Sequence, residues 1–261
     1  MSTTITFLGT GDSMGVPRVY CNCAICEEAR NEGLNKRWRS SILLEMTTDA
    51  KKSLLLVDCG PDWLQQMEHL GLKELEHVLI THAHYDHIAG LPQWADACRW
   101  LDRKGHVYAP QEVIAVILKS FSWLQANLEF HAIDDGGFIF SGWLIKPWKV
   151  NHGKNGYAYA YQFSKADYLW VYCPDSIHLQ GEQKKPLYDL SLLILGTSFY
   201  EELFDFATRS VYDIKEALEL ITDTKPKRVY FTHMSHGINI TEPYKLPDHV
   251  KLATTGYSLY I

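Results

Sequence analysis

The sequence has 261 residues, 46% of them hydrophobic and 21% charged, which is enough apolar surface for a buried core and excludes a disordered chain. Its 25 basic and 31 acidic residues give a formal net charge of −6, and the basic residues occur only in scattered pairs, which disfavours a nucleic-acid polymer as partner. The first residues lack a secretory pattern and no apolar run reaches the ~20 residues needed to cross a bilayer, so we expect a cytoplasmic protein with no membrane partner.

Short β-type runs alternate with helical periodicity along the chain, and no linker-like composition divides it. The predicted elements, in chain order, are strands Thr3–Leu8, Ser41–Met46 and Ser53–Asp58, a helix from Pro61 to His69 that stops at Gly71, strand His77–Thr81, helices Pro92–Asp102 and Gln111–Ala126, strands Phe138–Ile145, Tyr157–Phe163, Tyr168–Tyr172 and Leu190–Leu195, helix Tyr212–Ile221, and strands Arg228–Thr232 and Tyr257–Ile261. Several β segments follow one another without a helix and are expected to pair antiparallel. We predict one α/β domain over residues 1–261, with two mixed sheets rather than a doubly wound parallel sheet.

The strongest chemical signal follows the strand His77–Thr81. Four ligand-type side chains occur there within six residues: His82, His84, Asp86 and His87. On an extended strand end His82 and His84 face one side, while the turn into the next helix presents Asp86 and His87 in another direction. Imidazole and carboxylate at this density suit divalent metals, and the pattern predicts two adjacent ions; the alternative is a polar surface loop.

Each ion needs further ligands, and three other residues sit where a predicted strand gives way to a loop. These are His152, Asp175 and His233. A single histidine after a strand is more often structural, so the three are persuasive only together with the His82–His87 segment.

A cysteine cluster near the start of the chain is the second metal signal. Of six cysteines, three lie at Cys21, Cys23 and Cys26. In a reducing compartment such a cluster indicates metal ligation before disulfides. The alternative is three free thiols on a loop, which would be prone to oxidation.

These motifs, with Asp58-Cys59-Gly60 after an early strand, resemble the metallo-β-lactamase superfamily over essentially the whole chain. The resemblance implies a four-layer αβ/βα sandwich. It also implies one metal on His82, His84 and His152, a second on Asp86, His87 and His233, and Asp175 bridging the two. Asp58 would orient the metal-binding loop by hydrogen bonds.

The N-terminal segment narrows the resemblance. Gly9-Thr10-Gly11, Gly15-Val16-Pro17, the three cysteines and Thr232-His233-Met234-Ser235-His236 are similar to the cyclic-phosphate phosphodiesterases of the carbon–phosphorus lyase pathway, the PhnP-like subfamily. This implies a structural zinc on Cys21, Cys23, Cys26 and His236, within a Cys-rich loop at 17–30. Three thiolates and one imidazole form a closed tetrahedral zinc site.

We therefore predict a dinuclear hydrolase using two divalent ions, zinc or manganese, that acts on small phosphate esters, cyclic ones included. A water bridging the ions would lose a proton near neutral pH and attack phosphorus, with Asp86 and Asp175 holding the ions. The subfamily has a further histidine before the helix that precedes the Thr232–His236 segment, and this chain has none there. Arg209, which would stabilise phosphate charge, and Tyr212 or His178, which would donate a proton, are the candidate replacements. Pro174 before Asp175 is expected to shift that carboxylate slightly.

Two alternatives remain open. One is RNA processing, as in the transfer-RNA 3′-end endonucleases, which the acidic balance and the lack of a Gly- and Lys/Arg-rich arm disfavour. The other is a non-hydrolytic protein of the pyrroloquinoline-quinone-biosynthesis type, which the complete ligand set disfavours. The aromatic content of 13% is compatible with a pocket or a homodimer contact.

Overall fold

The computed structural model describes residues 2–48 and 51–261. Its strands are β1 (Ser2–Gly9), β2 (Ser41–Thr47), β3 (Lys52–Val57), β4 (His77–Leu79), β5 (Gly105–Ala109), β6 (Leu128–Ala132), β7 (Phe138–Phe140), β8 (Trp143–Asn151), β9 (Tyr157–Lys165), β10 (Tyr168–Cys173), β11 (Leu192–Gly196), β12 (Val229–Thr232), β13 (Val250–Leu252) and β14 (Ser258–Tyr260). Its α-helices are α1 (Ala24–Asn31), α2 (Trp63–Leu70), α3 (Tyr85–Ile88), α4 (Leu91–Trp100), α5 (Gln111–Ser120) and α6 (Ile214–Thr224). Within these residues, no helix is both long and apolar enough to cross a bilayer.

The strands form two seven-stranded sheets, in the orders β14-β1-β2-β3-β4-β5-β6 and β13-β12-β11-β10-β9-β8-β7. Each sheet has an antiparallel half and a parallel half: β3 to β6 run parallel in the first sheet, and β10 to β13 in the second. The prediction of two mixed sheets is confirmed.

Three apolar clusters hold four layers together. One lies between the first sheet and α2, α4 and α5, and another between the second sheet and α6. The third lies between the sheets, where Phe7, Tyr161, Phe163 and Trp170 are fully buried. Strands buried on both faces explain why several of the predicted β segments read as nearly continuous apolar runs. This is the αβ/βα sandwich that the resemblance implied.

The structure corrects several predicted boundaries. The run predicted as one strand over Phe138–Ile145 is a hairpin, because Ser141 and Gly142 adopt positive φ angles of 47° and 82° between β7 and β8. The helix predicted to reach Ala126 ends at Ser120, and a 3-10 turn follows. Helix α6 begins at Ile214 because Asp213 caps it with a capping box. The prediction missed α1, α3, β5, β6 and β13.

Candidate metal centre

The predicted ligands come together at one edge of the sandwich because of strand direction. Strands β8 and β10 both pair antiparallel with β9, and β10 to β12 run parallel, so β8, β10 and β12 point the same way. His152, Asp175 and His233 follow the carboxyl ends of these strands. The segment His82–His87 follows β4 in the facing sheet, and its donors meet those three side chains.

The first group of donors consists of His82, His84 and His152, whose ligand nitrogens lie within 4.8 Å of one another. His84 Nδ1 is 2.8 Å from His82 Nε2 and 3.3 Å from His152 Nε2. Nitrogens bonded at ~2.0–2.1 Å to a tetrahedral zinc lie ~3.3–3.4 Å apart. The group therefore fits a single ion with small side-chain shifts.

The second group consists of Asp86, His87 and His233. Asp86 Oδ2 lies 3.1 Å from His87 Nε2 and 3.6 Å from His233 Nε2. Asp175 lies between the two groups. Its Oδ2 is 3.1 Å from His87 Nε2, and its Oδ1 is 3.2 Å from His233 Nε2 and 3.7 Å from His152 Nε2. One carboxylate thus contacts both sets of donors.

Hydrogen bonds orient the rings so that one nitrogen of each is left facing the centre. His87 donates its Nδ1–H to Asp58 Oδ2 at 2.8 Å, and His152 donates its Nδ1–H to the Ser210 carbonyl at 2.8 Å. His82 Nδ1 is 3.0 Å from Thr81 Oγ1, which in turn donates to Asp58. In each of these rings Nε2 is the nitrogen that faces the centre, the arrangement that partners of metal-binding histidines produce.

Several buried polar atoms of the centre have no hydrogen-bond partner among the described residues. They include His87 Nε2, Asp175 Oδ2 and both ring nitrogens of His233. Buried polar groups in proteins are nearly always paired. Imidazole nitrogens and carboxylate oxygens that converge without partners fit divalent metal ions, which both donor types bind.

The charge state differs between the two groups. Burial lowers the pKa of His82 well below its usual value and lowers the pKa of His84 and His152 as well, so these rings are neutral at pH 7. Burial also opposes charge on His233, but Asp175 and Asp86 outweigh it and raise the pKa of His233 to about 9. An ion entering the second group therefore has to displace a proton from His233.

The backbone around the centre is tightly constrained. Asp58 and His233 adopt left-handed φ angles of 64° and 57°, which cost side-chain-bearing residues about 1–3 kcal/mol each and cluster at functional sites. Gly196 has no room for a side chain, because a Cβ there would lie 1.7 Å from the Pro174 carbonyl oxygen. Despite the shift predicted from Pro174, the Asp175 carboxylate still contacts both groups.

The cysteine cluster is the second candidate metal site. Cys21 Sγ lies 3.3 Å from His236 Nδ1, and the sulfurs of Cys23 and Cys26 lie 3.5 Å from it. Zinc with bonds of ~2.3 Å to sulfur and ~2.0–2.1 Å to nitrogen places these atoms ~3.5–3.6 Å apart in a tetrahedron. The four side chains named from the resemblance therefore fit one zinc ion.

Backbone and arginine contacts hold this cluster in place. The Arg18 N–H donates to Cys26 Sγ at 3.4 Å, and the Arg30 guanidinium donates to the Cys21 carbonyl at 2.7 Å. Buried Arg37 donates to the carbonyls of Ser235 and Ile238, which flank His236. Burial raises the pKa of the Cys26 thiol to about 11, so a bound ion would replace its proton.

The structure does not place Arg209 among the metal-binding side chains. Its guanidinium lies 2.6 Å from Glu216, 3.2 Å from Glu202 and 3.3 Å from Asp213, and its side chain is 6% exposed. Three carboxylates neutralise its charge, which corrects the predicted contact with phosphate. The Arg209 backbone does contact the segment next to the centre, because its carbonyl accepts a hydrogen bond from the backbone N–H of Lys154, two residues after His152.

The two candidate proton donors also lie in other surroundings. The Tyr212 hydroxyl is buried and accepts the Leu179 N–H at 2.6 Å, and burial raises the pKa of Tyr212. The His178 ring is exposed, packs edge-on against Phe206 and lies 2.7 Å from the Gln180 amide. Neither residue belongs to a donor group of the centre in the described chain, so neither replaces the missing histidine by direct contact with these ligands.

Sequence reasoning missed three residues that touch the ligands. Thr81 contacts both Asp58 and His82, and its position directly before His82 was a usable signal. Ser210 supplies only a backbone carbonyl, 58 residues away from His152, for which no local pattern exists. The Asn155 amide lies 3.3 Å from His152 Nε2, in an exposed turn at the rim.

A sandwich of two mixed sheets with these donors along one edge defines a metal-binding protein of the αβ/βα class. A profile of the beta-lactamase superfamily domain matches residues 54–234. The chain belongs to this superfamily.

Among characterised relatives, an octanoyltransferase of Porphyromonas gingivalis is 28% identical over 97% of this chain and 51% of its own length. The chain thus spans about half the length of that relative. Ribonuclease Z of Archaeoglobus fulgidus is 25% identical over 69% of this chain and 78% of the relative.

Solved structures agree with the fold. The crystal structure of a diphosphatase from the PhnP family is 26% identical, has a TM-score of 0.86 and aligns over 100% of this chain and 98% of its own. Zinc-bound PqqB from Methylobacterium extorquens aligns over 98% of this chain and 99% of its own at 16% identity and a TM-score of 0.76, which shows the fold alone. The fold, the donor set and these similarities together support a metal-dependent hydrolase.

Proposed function

We propose that the protein is a dinuclear metal-dependent phosphodiesterase that acts on small phosphate esters. The observation that carries the proposal is the position of Asp175, whose two oxygens lie 3.1 Å from His87, 3.2 Å from His233 and 3.7 Å from His152. A carboxylate that contacts both donor groups is the arrangement expected of a bridge between two ions. The resemblance to a PhnP-family diphosphatase along the whole chain supports phosphate chemistry.

The donor set matches two zinc or manganese ions, one on His82, His84 and His152 and one on Asp86, His87 and His233, with Asp175 common to both. Divalent ions in such a pair supply Lewis-acid stabilisation of phosphoryl charge and lower the pKa of water, so no side-chain nucleophile is required. The cysteine cluster would hold a separate structural zinc.

The chain's own residues then orient the ligands and the ester. Asp58 and the Ser210 carbonyl fix which nitrogens of His87 and His152 face the centre. If His152 Nε2 held an ion, the Asn155 amide, which lies 3.3 Å from that nitrogen, would be free to donate to an ester oxygen at the rim. The Arg209 carbonyl accepts the Lys154 N–H and so holds the turn that follows His152. Its guanidinium is already paired with carboxylates and contributes no charge to the ester.

RNA processing is the second candidate, since Ribonuclease Z relatives are among the similar proteins. The net charge of −6 weighs against it, because binding an RNA polymer depends on neutralising phosphates with basic side chains. A small ester places no such demand on the surface.

The test is a substrate panel with protein loaded with Mn²⁺ or Zn²⁺: bis(p-nitrophenyl) phosphate, 2′,3′-cyclic AMP, a nucleoside diphosphate, a precursor transfer RNA and an octanoyl thioester. We expect metal-dependent release from the small phosphate esters. H249Q, which replaces an exposed histidine outside the donor groups, controls for the loss of any histidine and should keep activity. No metal-dependent release from any phosphate ester would overturn the proposal, and cleavage of only the RNA or only the thioester would replace it.

A further inference from the structure

A third cluster of ligand-type side chains lies on the first sheet, away from both sites described above. It consists of His106 on β5 and of Glu129 and His131 on β6. In the parallel pairing of these strands, His106 stands opposite Glu129, and His131 is two residues further along β6. Side chains two residues apart on a strand share one face, so all three project to the same side of the sheet.

We propose that His106, Glu129 and His131 form an additional site for a divalent transition ion of the zinc type. His106 Nδ1 lies 3.0 Å from His131 Nε2, 3.7 Å from one Glu129 oxygen, and His131 Nε2 lies 3.9 Å from the other. Donors in a tetrahedral zinc shell lie ~3.3–3.4 Å apart, so these three separations surround the required value. The His82–His84 contact at the main centre has a similar length, 2.8 Å.

Neighbouring aromatic rings hold the two imidazoles in position. His77 stacks on His106 with ring centres 5.3 Å apart, and Tyr108 stacks on His131 at 4.8 Å. Ligands that are already oriented lose less conformational entropy when they bind an ion. The Glu129 carboxylate adds an oxygen donor to the two imidazole nitrogens.

The site is open to solvent, unlike the main centre. The side chains of His106, His131 and Glu129 are 32%, 33% and 58% exposed, so an ion can enter directly and keep water in its remaining position. Strand β6 ends the first sheet, and an ion held by one β5 residue and two β6 residues would tie this edge strand to its neighbour. We infer a stabilising role for the ion, independent of hydrolysis.

The location supports this independence. His77, which stacks on His106, begins β4, whereas His82 follows the carboxyl end of the same strand. The cluster shares no residue with the donor groups of the main centre or with the cysteine cluster. Removing it should leave those groups intact.

The experiment measures bound metal and thermal unfolding in the full-length protein. Equilibrium dialysis against Zn²⁺, followed by elemental analysis, compares the wild type with H131Q, H106Q and the exposed-histidine control H249Q. We expect H131Q and H106Q each to bind about one zinc equivalent less than the wild type, and H249Q to match it. Added Zn²⁺ should raise the unfolding temperature of the wild type more than that of H131Q, since an ion that binds only the folded state stabilises it.

E129Q provides a milder version, because it keeps the side chain's shape and removes its charge. It should weaken zinc binding at this site and leave the unfolding temperature in chelator close to that of the wild type. Equal zinc content and equal response to added zinc in the wild type, H106Q and H131Q would overturn the proposal.

Discussion

The cysteine cluster and the histidine–aspartate centre are both assembled from residues that lie far apart in the sequence, but they differ in how complete their donor sets are. Cys21, Cys23 and Cys26 converge on His236, and the four donors equal the number that a tetrahedral zinc site needs. The histidine–aspartate centre instead has two groups of three donors that share Asp175, so neither group is closed by residues of its own. Structural zinc sites in proteins are closed by their own four ligands and catalytic sites keep an open position, so this difference in the donor sets is the basis for proposing a structural ion at the first site and a reactive one at the second.

The surroundings of the two sites follow the same division. Cys21 and Cys23 are only partly buried, and arginine side chains and backbone groups tether the loop that carries them. His82, His87 and His233 are buried, and hydrogen bonds to Thr81 and Asp58 determine which nitrogen of His82 and His87 faces the centre. A structural site needs only its four donors, whereas a reactive site also needs oriented ligands.

The largest expected effect comes from D175N, which keeps the shape of the shared side chain and removes its charge. Losing a residue that only orients a metal ligand costs up to about 100-fold. Asp175 is proposed as a ligand itself, so we expect hydrolysis to fall by more than about 100-fold. Metal analysis should show loss of metal from the histidine–aspartate centre and none from the cysteine cluster. D167N, in the exposed turn between β9 and β10, is the matched control. Unchanged turnover in D175N would contradict a shared carboxylate.

The next effect comes from D58N, which removes the negative charge and leaves one acceptor oxygen for the two groups, the Thr81 N–H and His87 Nδ1–H, that Asp58 now serves with two. Metal affinity at the centre should fall by about 10–100-fold, and excess metal should restore much of the rate, because Asp58 orients a ligand without being one. Asp62, which pairs with Arg39, gives the control D62N with unchanged affinity. A loss of rate that excess metal cannot restore would assign Asp58 a different role.

A smaller effect is expected for N155A at the rim. A neutral hydrogen bond contributes about 0.5–1.5 kcal/mol, so KM for a phosphate ester should rise about 2- to 10-fold with metal content unchanged. Steady-state kinetics with N155D as a companion variant checks this, since the added negative charge should raise KM further. An unchanged KM in both variants would exclude Asn155 from ester binding.

The smallest effect on turnover is expected for C23S. Zinc content should fall by about one equivalent per chain and the unfolding temperature should drop, because a structural zinc contributes directly to folding. At a temperature where the variant is folded, its rate should change by no more than a few-fold. C98S, in the buried core of α4, should lose stability without losing zinc. Full zinc content in C23S would contradict a structural zinc at the cysteine cluster.

Much of the centre could be predicted because its signals are local. His82, His84, Asp86 and His87 lie in one short segment, and the three cysteines lie in another. Both segments concentrate donors that an apolar core or an ordinary loop does not need. The antiparallel arrangement of neighbouring β segments was equally local, since short connections favour it.

Arg209 illustrates what local pattern could not provide. Its position near the helix predicted over Tyr212–Ile221 indicated phosphate binding, yet the folded chain brings Glu202 and Glu216 to its guanidinium. Which charges surround a side chain depends on loops that pack from elsewhere. The strands β5 and β6, and with them the His106–His131 cluster, were missed for a related reason. Strands this short show too few alternations of buried and exposed side chains to be recognised from the sequence.

The sequence alone determined the kinds of donors, the segments that carry most of them and the alternation of helices with strands, since these depend on residue chemistry and short-range periodicity. Tertiary structure decided that His236 reaches a cysteine 215 residues away, and that Asp175 lies between two donor groups. It also decided which carbonyl orients His152. These outcomes depend on strand direction and sheet order, which only the packing of the whole chain fixes.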